Sequence, residues 1–194
     1  MLVGQALPPA RISPIWQPPE RKRRFGRTAP FLAVAELALI GATCLFAQSV
    51  EVRHDDELCV TYQARIAGPY LVVQATLGSG WHTFAMDNKV RADRKLEGKP
   101  AISIDKATEI TGAQTEGPWY QTPPKDFSRP QLRWFSWGFD HDALFVAKVK
   151  GGPSAVTLKG QACTEKICKN VDVSIPVARG TGVIDLKGLV EVGK

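Results

Sequence analysis

From Gln48 onward, apolar and polar residues trade places in short runs, and long helical periodicity is scarce. The runs predict strands over Leu58 to Ile66, Tyr70 to Leu77, Trp81 to Met86, Ala101 to Ile104, Ala143 to Val149, Ala155 to Gly160 and Asn170 to Val177. Glycine and proline punctuate them at Ala67-Gly68-Pro69, Gly78-Ser79-Gly80, Gly98-Lys99-Pro100 and Lys150-Gly151-Gly152-Pro153. Short strands at this spacing predict an all-β sandwich. The glycine-rich tail from Gly180 to Lys194 is expected to add an edge strand.

One stretch breaks the pattern. Gly112 to Asp142 reads as irregular yet carries Trp119, Tyr120, Phe127, Trp134, Phe135, Trp137 and Phe139. Rings of this kind fill cores, but an aromatic loop held by a rigid sheet can equally cover a reactive site.

Before Gln48 the composition changes. Residues 1–20 hold five prolines, which resist helix and sheet alike. A basic block, Arg21-Lys22-Arg23-Arg24-Phe25-Gly26-Arg27, then precedes an apolar run from Phe31 to Ala47, the order of a secretory signal. Residues 1–47 are therefore expected to be a leader, cleaved after Ala47, and residues 48–194 the exported domain. Leu45 is large for its place in a cleavage site, so residues 31–47 retained as an inner-membrane anchor is the alternative. The twin-arginine and lipoprotein patterns are too incomplete to adopt. The positive flank keeps the amino end cytoplasmic, which places the body in the periplasm.

Charge changes the picture less than the formal +6 suggests. Arg11, Arg21, Lys22, Arg23, Arg24 and Arg27 face only Glu20 in the first 27 residues, so the basicity belongs largely to the leader. The body has no basic stripe interleaved with aromatics, and nucleic-acid binding is not expected.

The chemistry concentrates in Gly160-Gln161-Ala162-Cys163-Thr164-Glu165-Lys166-Ile167-Cys168-Lys169-Asn170, between two strand-like flanks. A disulfide closing so short a loop removes little unfolded-state entropy, roughly 2 kcal/mol, and is a poor staple. A thiol pair that opens and closes is one reading; a permanent local disulfide is the other. Zinc fits badly, because His54, His82 and His141 are scattered and no second ligand pair exists. Lys166 and Lys169 flank Cys168 and favour its thiolate, whereas Glu165 works weakly the other way on Cys163. Cys44 lies in the leader. Cys59 opens a predicted strand and is expected to be a small buried hydrophobe, with a free reactive thiol as the alternative. No hydrolase, zincin, phosphate-loop or thioredoxin-type motif is present, and Asp140-His141-Asp142 reads as a solvated turn.

The segment from Gly160 to Cys168, with its following strand ending Ser174-Ile175-Pro176-Val177, resembles the redox motif of the N-terminal periplasmic domain of the thiol:disulfide interchange protein DsbD. Leu71 to Leu77 leading into Gly80-Trp81-His82-Thr83-Phe84 resembles that family's strand followed by glycine and aromatics. Trp134 to Val149 resembles its cap loop and the strand behind it. The resemblance spans about Val50 to Val177, with the cysteine motif its specific part. It implies an immunoglobulin-like sandwich whose pair, Cys163 and Cys168, relays electrons between thioredoxin-like periplasmic proteins, Cys168 forming the mixed disulfide. It places Trp134 and Phe135 in a cap, with Trp81, His82 and Phe84 beside the site. No metal or organic cofactor is implied.

Two departures accompany it. The family's transporter continues into membrane and thioredoxin-like domains whereas this chain stops at Lys194, so the electron donor is expected to be a separate protein. Lys169-Asn170 stand where the family usually has proline. The leading expectation is a protein-disulfide reductase type of exchange domain. Against it stand a binding module with a structural disulfide and an inert accessory domain anchored by its leader.

Overall fold

The computed structural model describes residues 48–101, 105–180 and 182–194, so the expected leader lies outside the described residues. The chain enters through β1 (Ser49–His54), which turns at Asp55 into the long β2 (Glu57–Ala67). β3 (Tyr70–Leu77) returns antiparallel along β2, and β4 (His82–Phe84) crosses to a second sheet. A nine-residue helix α1 (Asn88–Leu96) follows, then β5 (Glu109–Thr111), β6 (Thr115–Gln121), β7 (Lys125–Asp126), β8 (Trp137–Phe139) and β9 (Ala143–Val149). The hairpin β10 (Ala155–Cys163) and β11 (Cys168–Arg179) and a short β12 (Val190–Glu191) complete it.

In the first sheet β12, β6, β9, β3 and β2 lie side by side, with β1 on the far edge of β2. In the second, β11, β10, β4, β8 and β7 follow one another, with β5 also on β10. β11 belongs to both. Its first part pairs with β10 as far as Pro176; then Val177 to Arg179 run parallel to Ala64, Arg65 and Ile66 of β2. Proline suits this switch, since it lacks the N–H that an uninterrupted ladder would use.

Alternation explains the sandwich. Leu71, Val73 and Ala75 of β3 and Phe145 of β9 point inward to meet Val156, Leu158 and Ala162 of β10 and Val171 and Ile175 of β11 in one core. Phe139 and Phe145 meet edge to face across it, their centroids 5.7 Å apart. The expected immunoglobulin-like all-β fold is the one found.

Several expectations need correction. The region from Gly112 to Asp142 is not irregular: it supplies β6, β7 and β8, whose strands are short or bulged and so lack a readable alternation. The strand expected over Trp81 to Met86 is confined to His82–Phe84, and Ala101 lies outside any strand, the residues after it being undescribed. β1 and α1 carried no strong pattern and were unforeseen. The tail does form an edge strand, β12 on β6, and also lays Ile184, Leu186 and Leu189 over Val72 and Val146 on the outer face of the first sheet. That cover explains why β3 and β9 are apolar on both faces. No helix among the described residues is long and apolar enough to cross a membrane.

Candidate functional site

Cys163 ends β10 and Cys168 begins β11, directly opposite each other in the ladder with Cα atoms 4.0 Å apart, and their sulfurs are bonded. Loop geometry is set locally. The Thr164 N–H donates to the Ile167 carbonyl, and the Thr164 hydroxyl accepts the N–H groups of Lys166 and Ile167. Lys169-Asn170 continue the strand, and a threonine closes the turn. The two cysteines differ sharply in access: Cys163 is 2% exposed, whereas Cys168 is exposed.

Both line a cavity of about 550 Å³ at this end of the sandwich. β4 forms one wall. Ala162 and Cys163 of β10 pair with Thr83 and His82, and the Thr83 hydroxyl donates to the Gln161 carbonyl at 2.9 Å. Trp81, His82 and Phe84, expected beside the site, all line the cavity. β8 stands beyond β4 at unusually close range, since a Cβ on Gly138 would fall 2.0 Å from the Thr83 carbonyl oxygen. Only glycine fits there. Asn88, fully buried at the start of α1, ties this frame together. Its Oδ1 accepts the Trp137 N–H at 2.7 Å and its Nδ2 donates to the Asp105 carbonyl at 3.0 Å.

The opposite wall is a flap between β7 and β8. Phe127 N–H donates to the Ser136 carbonyl and Arg129 pairs with Trp134, so the segment folds back on itself around the turn at Pro130 to Arg133. The Arg133 guanidinium fastens that turn to the Pro100 carbonyl. Trp134, one of the two expected cap residues, lines the cavity. The other, Phe135, is half-buried and packs on the main core instead. Adjacent residues of an extended segment face opposite ways, which separates the two.

Sequence reasoning named Phe127 only as one ring of the aromatic stretch and missed Lys125 and Arg129; all three line the cavity. Their spacing at alternate positions was the available signal, because i, i+2 and i+4 share one face of extended chain. The cations cover the rings: Lys125 Nζ lies 5.4 Å from the Phe127 centroid, and Arg129 Cζ 5.4 Å from that of Trp134. Asp105 and Asp140 were missed as well. Asp140 does stand in an exposed turn with His141, as expected, but its carboxylate also reaches the cavity and pairs with Lys125. Hydrogen bonds from Lys125 and His141 hold the Asp140 carboxyl down at about 2.

His82 packs its ring 5.4 Å from Phe84 and 5.2 Å from Phe127. Burial holds its imidazole below the ordinary histidine value, while Asp105 and Asp140 pull the other way. Two buried polar atoms of the lining, Trp81 Nε1 and Asp105 Oδ2, have no hydrogen-bond partner among the described residues. Of the lysines beside Cys168, Lys166 lines the cavity; Lys169, the next residue along the strand, does not. Cys59 is buried and makes no disulfide among the described residues, and burial followed by Glu57 pushes its thiol up, so it is a packing residue with little thiolate character. No cluster of metal-ligating side chains occurs among the described residues.

No family profile matches the sequence, and no curated protein matches it. Among solved structures the chain is similar to the reduced N-terminal domain of DsbD from Neisseria meningitidis, at 12% identity and a TM-score of 0.44, over 69% of this chain and 90% of that one. Likeness at that level leaves the chemistry to the site itself.

Proposed function

We propose that residues 48–194 form a thiol-disulfide exchange domain of the periplasm that passes electrons between thioredoxin-like proteins through Cys163 and Cys168. The observation that carries this reading is the asymmetry of the bonded pair: one sulfur on a buried residue, the other on an exposed one, at the mouth of a cavity. A partner's thiolate attacks Cys168; the Cys163 sulfur departs with the electron pair of the broken bond, and a mixed disulfide forms. A second thiol of the partner then attacks its own bonded sulfur and leaves Cys168 reduced. Run backward, the same steps reduce a partner's disulfide. A permanent staple has no use for this asymmetry, and the loop it closes is too short for the bond to contribute much stability.

Two measurements test the reading. The pair's reduction potential is expected above about −300 mV, the range of exchange-active rather than structural disulfides. Cys163→Ser protein exposed to periplasmic extract is expected to retain a thioredoxin-like protein covalently through Cys168. A potential below that bound, together with no capture, would leave the binding module as the better account.

A further inference from the structure

The cavity holds an imidazole that two exchanging sulfurs do not by themselves require. His82 on β4 is the register partner of Cys163 on β10, and both line the cavity. Directly opposed residues of an antiparallel pair stand on one face with Cβ atoms about 5 Å apart. The ring is held between Phe84 and Phe127 rather than by an orienting hydrogen bond among the described residues.

The charged groups facing it come from every side. Asp105 approaches from before β5, Asp140 from after β8, Lys125 from β7, Arg129 from the flap, and Glu165 and Lys166 from the hairpin loop. Most are compensated or outward. Asp140 is paired with Lys125, Arg129 lies over Trp134, and Glu165 and Lys166 are exposed. Asp105 Oδ2 is the exception, buried and without a hydrogen-bond partner among the described residues. The site therefore offers an imidazole opposite a buried sulfur and, in the same cavity, a carboxyl oxygen with no partner among the described residues.

We propose that His82 takes the proton from the Cys163 thiol when that sulfur closes the disulfide. The inference rests on the exchange reading above. In the step, Cys168 is bonded to a partner sulfur and Cys163 is a thiol. The proton passes to an imidazole nitrogen of His82, and the Cys163 thiolate attacks the Cys168 sulfur. The intramolecular S–S bond forms, the bond to the partner breaks, and the partner sulfur leaves as a thiolate with the electron pair. Burial of Cys163 makes the base necessary, because a thiol in apolar surroundings gives up its proton reluctantly. In the reverse direction, His82 returns the proton to the departing Cys163 thiolate.

Packing alone would also explain an aromatic ring between Phe84 and Phe127, and His82→Phe separates the two accounts by keeping the ring while removing the base. Reduced full-length protein is mixed with dithiobis(nitrobenzoate), whose thiolate is coloured. Attack by Cys168 releases a first thiolate in a second-order phase, and ring closure by Cys163 releases another in a unimolecular phase. In the native protein the unimolecular rate should hold across neutral pH and fall only below the ordinary histidine value of about 6.5. In His82→Phe and His82→Gln it should drop on the order of a hundredfold at neutral pH and rise steadily with pH, the first phase being unchanged. Equal second-phase rates and profiles in native and variant protein would overturn the assignment. Should neither variant fold, a native second phase that keeps climbing about tenfold per pH unit above neutral pH, with no plateau, would overturn it alone. Loss of the first phase in native protein would instead sink the exchange reading, and this inference with it.

Discussion

Two aspartates, Asp87 and Asp105, stand on either side of α1 and are treated in opposite ways. Asp87 is a closed account of hydrogen bonds: Oδ1 accepts from Gln121 Nε2 at 2.8 Å, Oδ2 accepts the Gly193 N–H at 3.1 Å, and Arg91 Nε lies 2.8 Å from Oδ2. Gln121 in turn accepts the Met86 N–H, so the cluster fastens the chain's tail to both sheets. Asp105 has a buried oxygen that receives no hydrogen bond from the described residues. One carboxylate is satisfied fully and the other, lining the cavity with the cysteines, has a buried oxygen left open, a division that on the exchange reading separates holding from reacting.

The separation is best broken at its extremes. Replacing Cys168 by serine is expected to abolish covalent exchange, a loss of orders of magnitude in a turnover assay with a thioredoxin-like substrate, while costing only roughly 2 kcal/mol in denaturant unfolding compared with the oxidised protein. A large stability loss with retained exchange would reverse the two roles. Asp87→Ala should do the opposite. Stranding Arg91 and Gln121 should cost about 3 kcal/mol of unfolding free energy, with the exchange rate per folded molecule intact.

The pH dependence sharpens the contrast. Burial raises the Asp87 pKa, but Arg91, the Gly193 N–H and Gln121 outweigh it, and the folded value lies below 3.8. Its stabilisation is therefore complete above that unfolded value and is lost as pH falls through the lower, folded one. Acid unfolding followed by circular dichroism should show this loss in native protein and not in Asp87→Ala.

Gly138→Ala lies between the extremes. Its Cβ would collide with the Thr83 carbonyl and force β8 from β4, so both unfolding free energy, by about 2 kcal/mol, and exchange rate should fall together. The smallest effect belongs to the flap. Arg129→Ala removes one cation from Trp134, a contact of about 0.5–1 kcal/mol, and should speed reduction by a small thiol by a few fold. An unchanged rate would mean that the flap is not what limits access.

What could be read in advance follows from how far each signal reaches along the chain. β3 and β9 came out with their observed limits because tight glycine turns or charged bends bracket largely apolar runs, broken only by Gln74 and Thr76 in one and Lys148 in the other. The hairpin and its cysteines were equally plain, being local. β8 was illegible: Trp137-Gly138-Phe139 is buried at all three positions and contains the glycine that close packing demands, so no alternation survives. Asp105 and Asn88 reach the site through contacts with distant segments, and sequence separation hides such partners. Phe135 was assigned to the cap by its neighbour's company, though one step of extended chain sends it to the core.

The nine-rung register between β10 and β11 also acts as a clock. Eight further rungs hold Cys163 opposite Cys168 besides the bond between them, so on the exchange reading a Cys163 thiol would meet its target at an effective concentration far above that of any competing thiol in solution. A covalent complex formed at Cys168 would accordingly be short-lived. On the exchange reading proposed above, the partner would be held only until the Cys163 proton leaves, and the hairpin, rather than the affinity of the two surfaces, would set the dwell time.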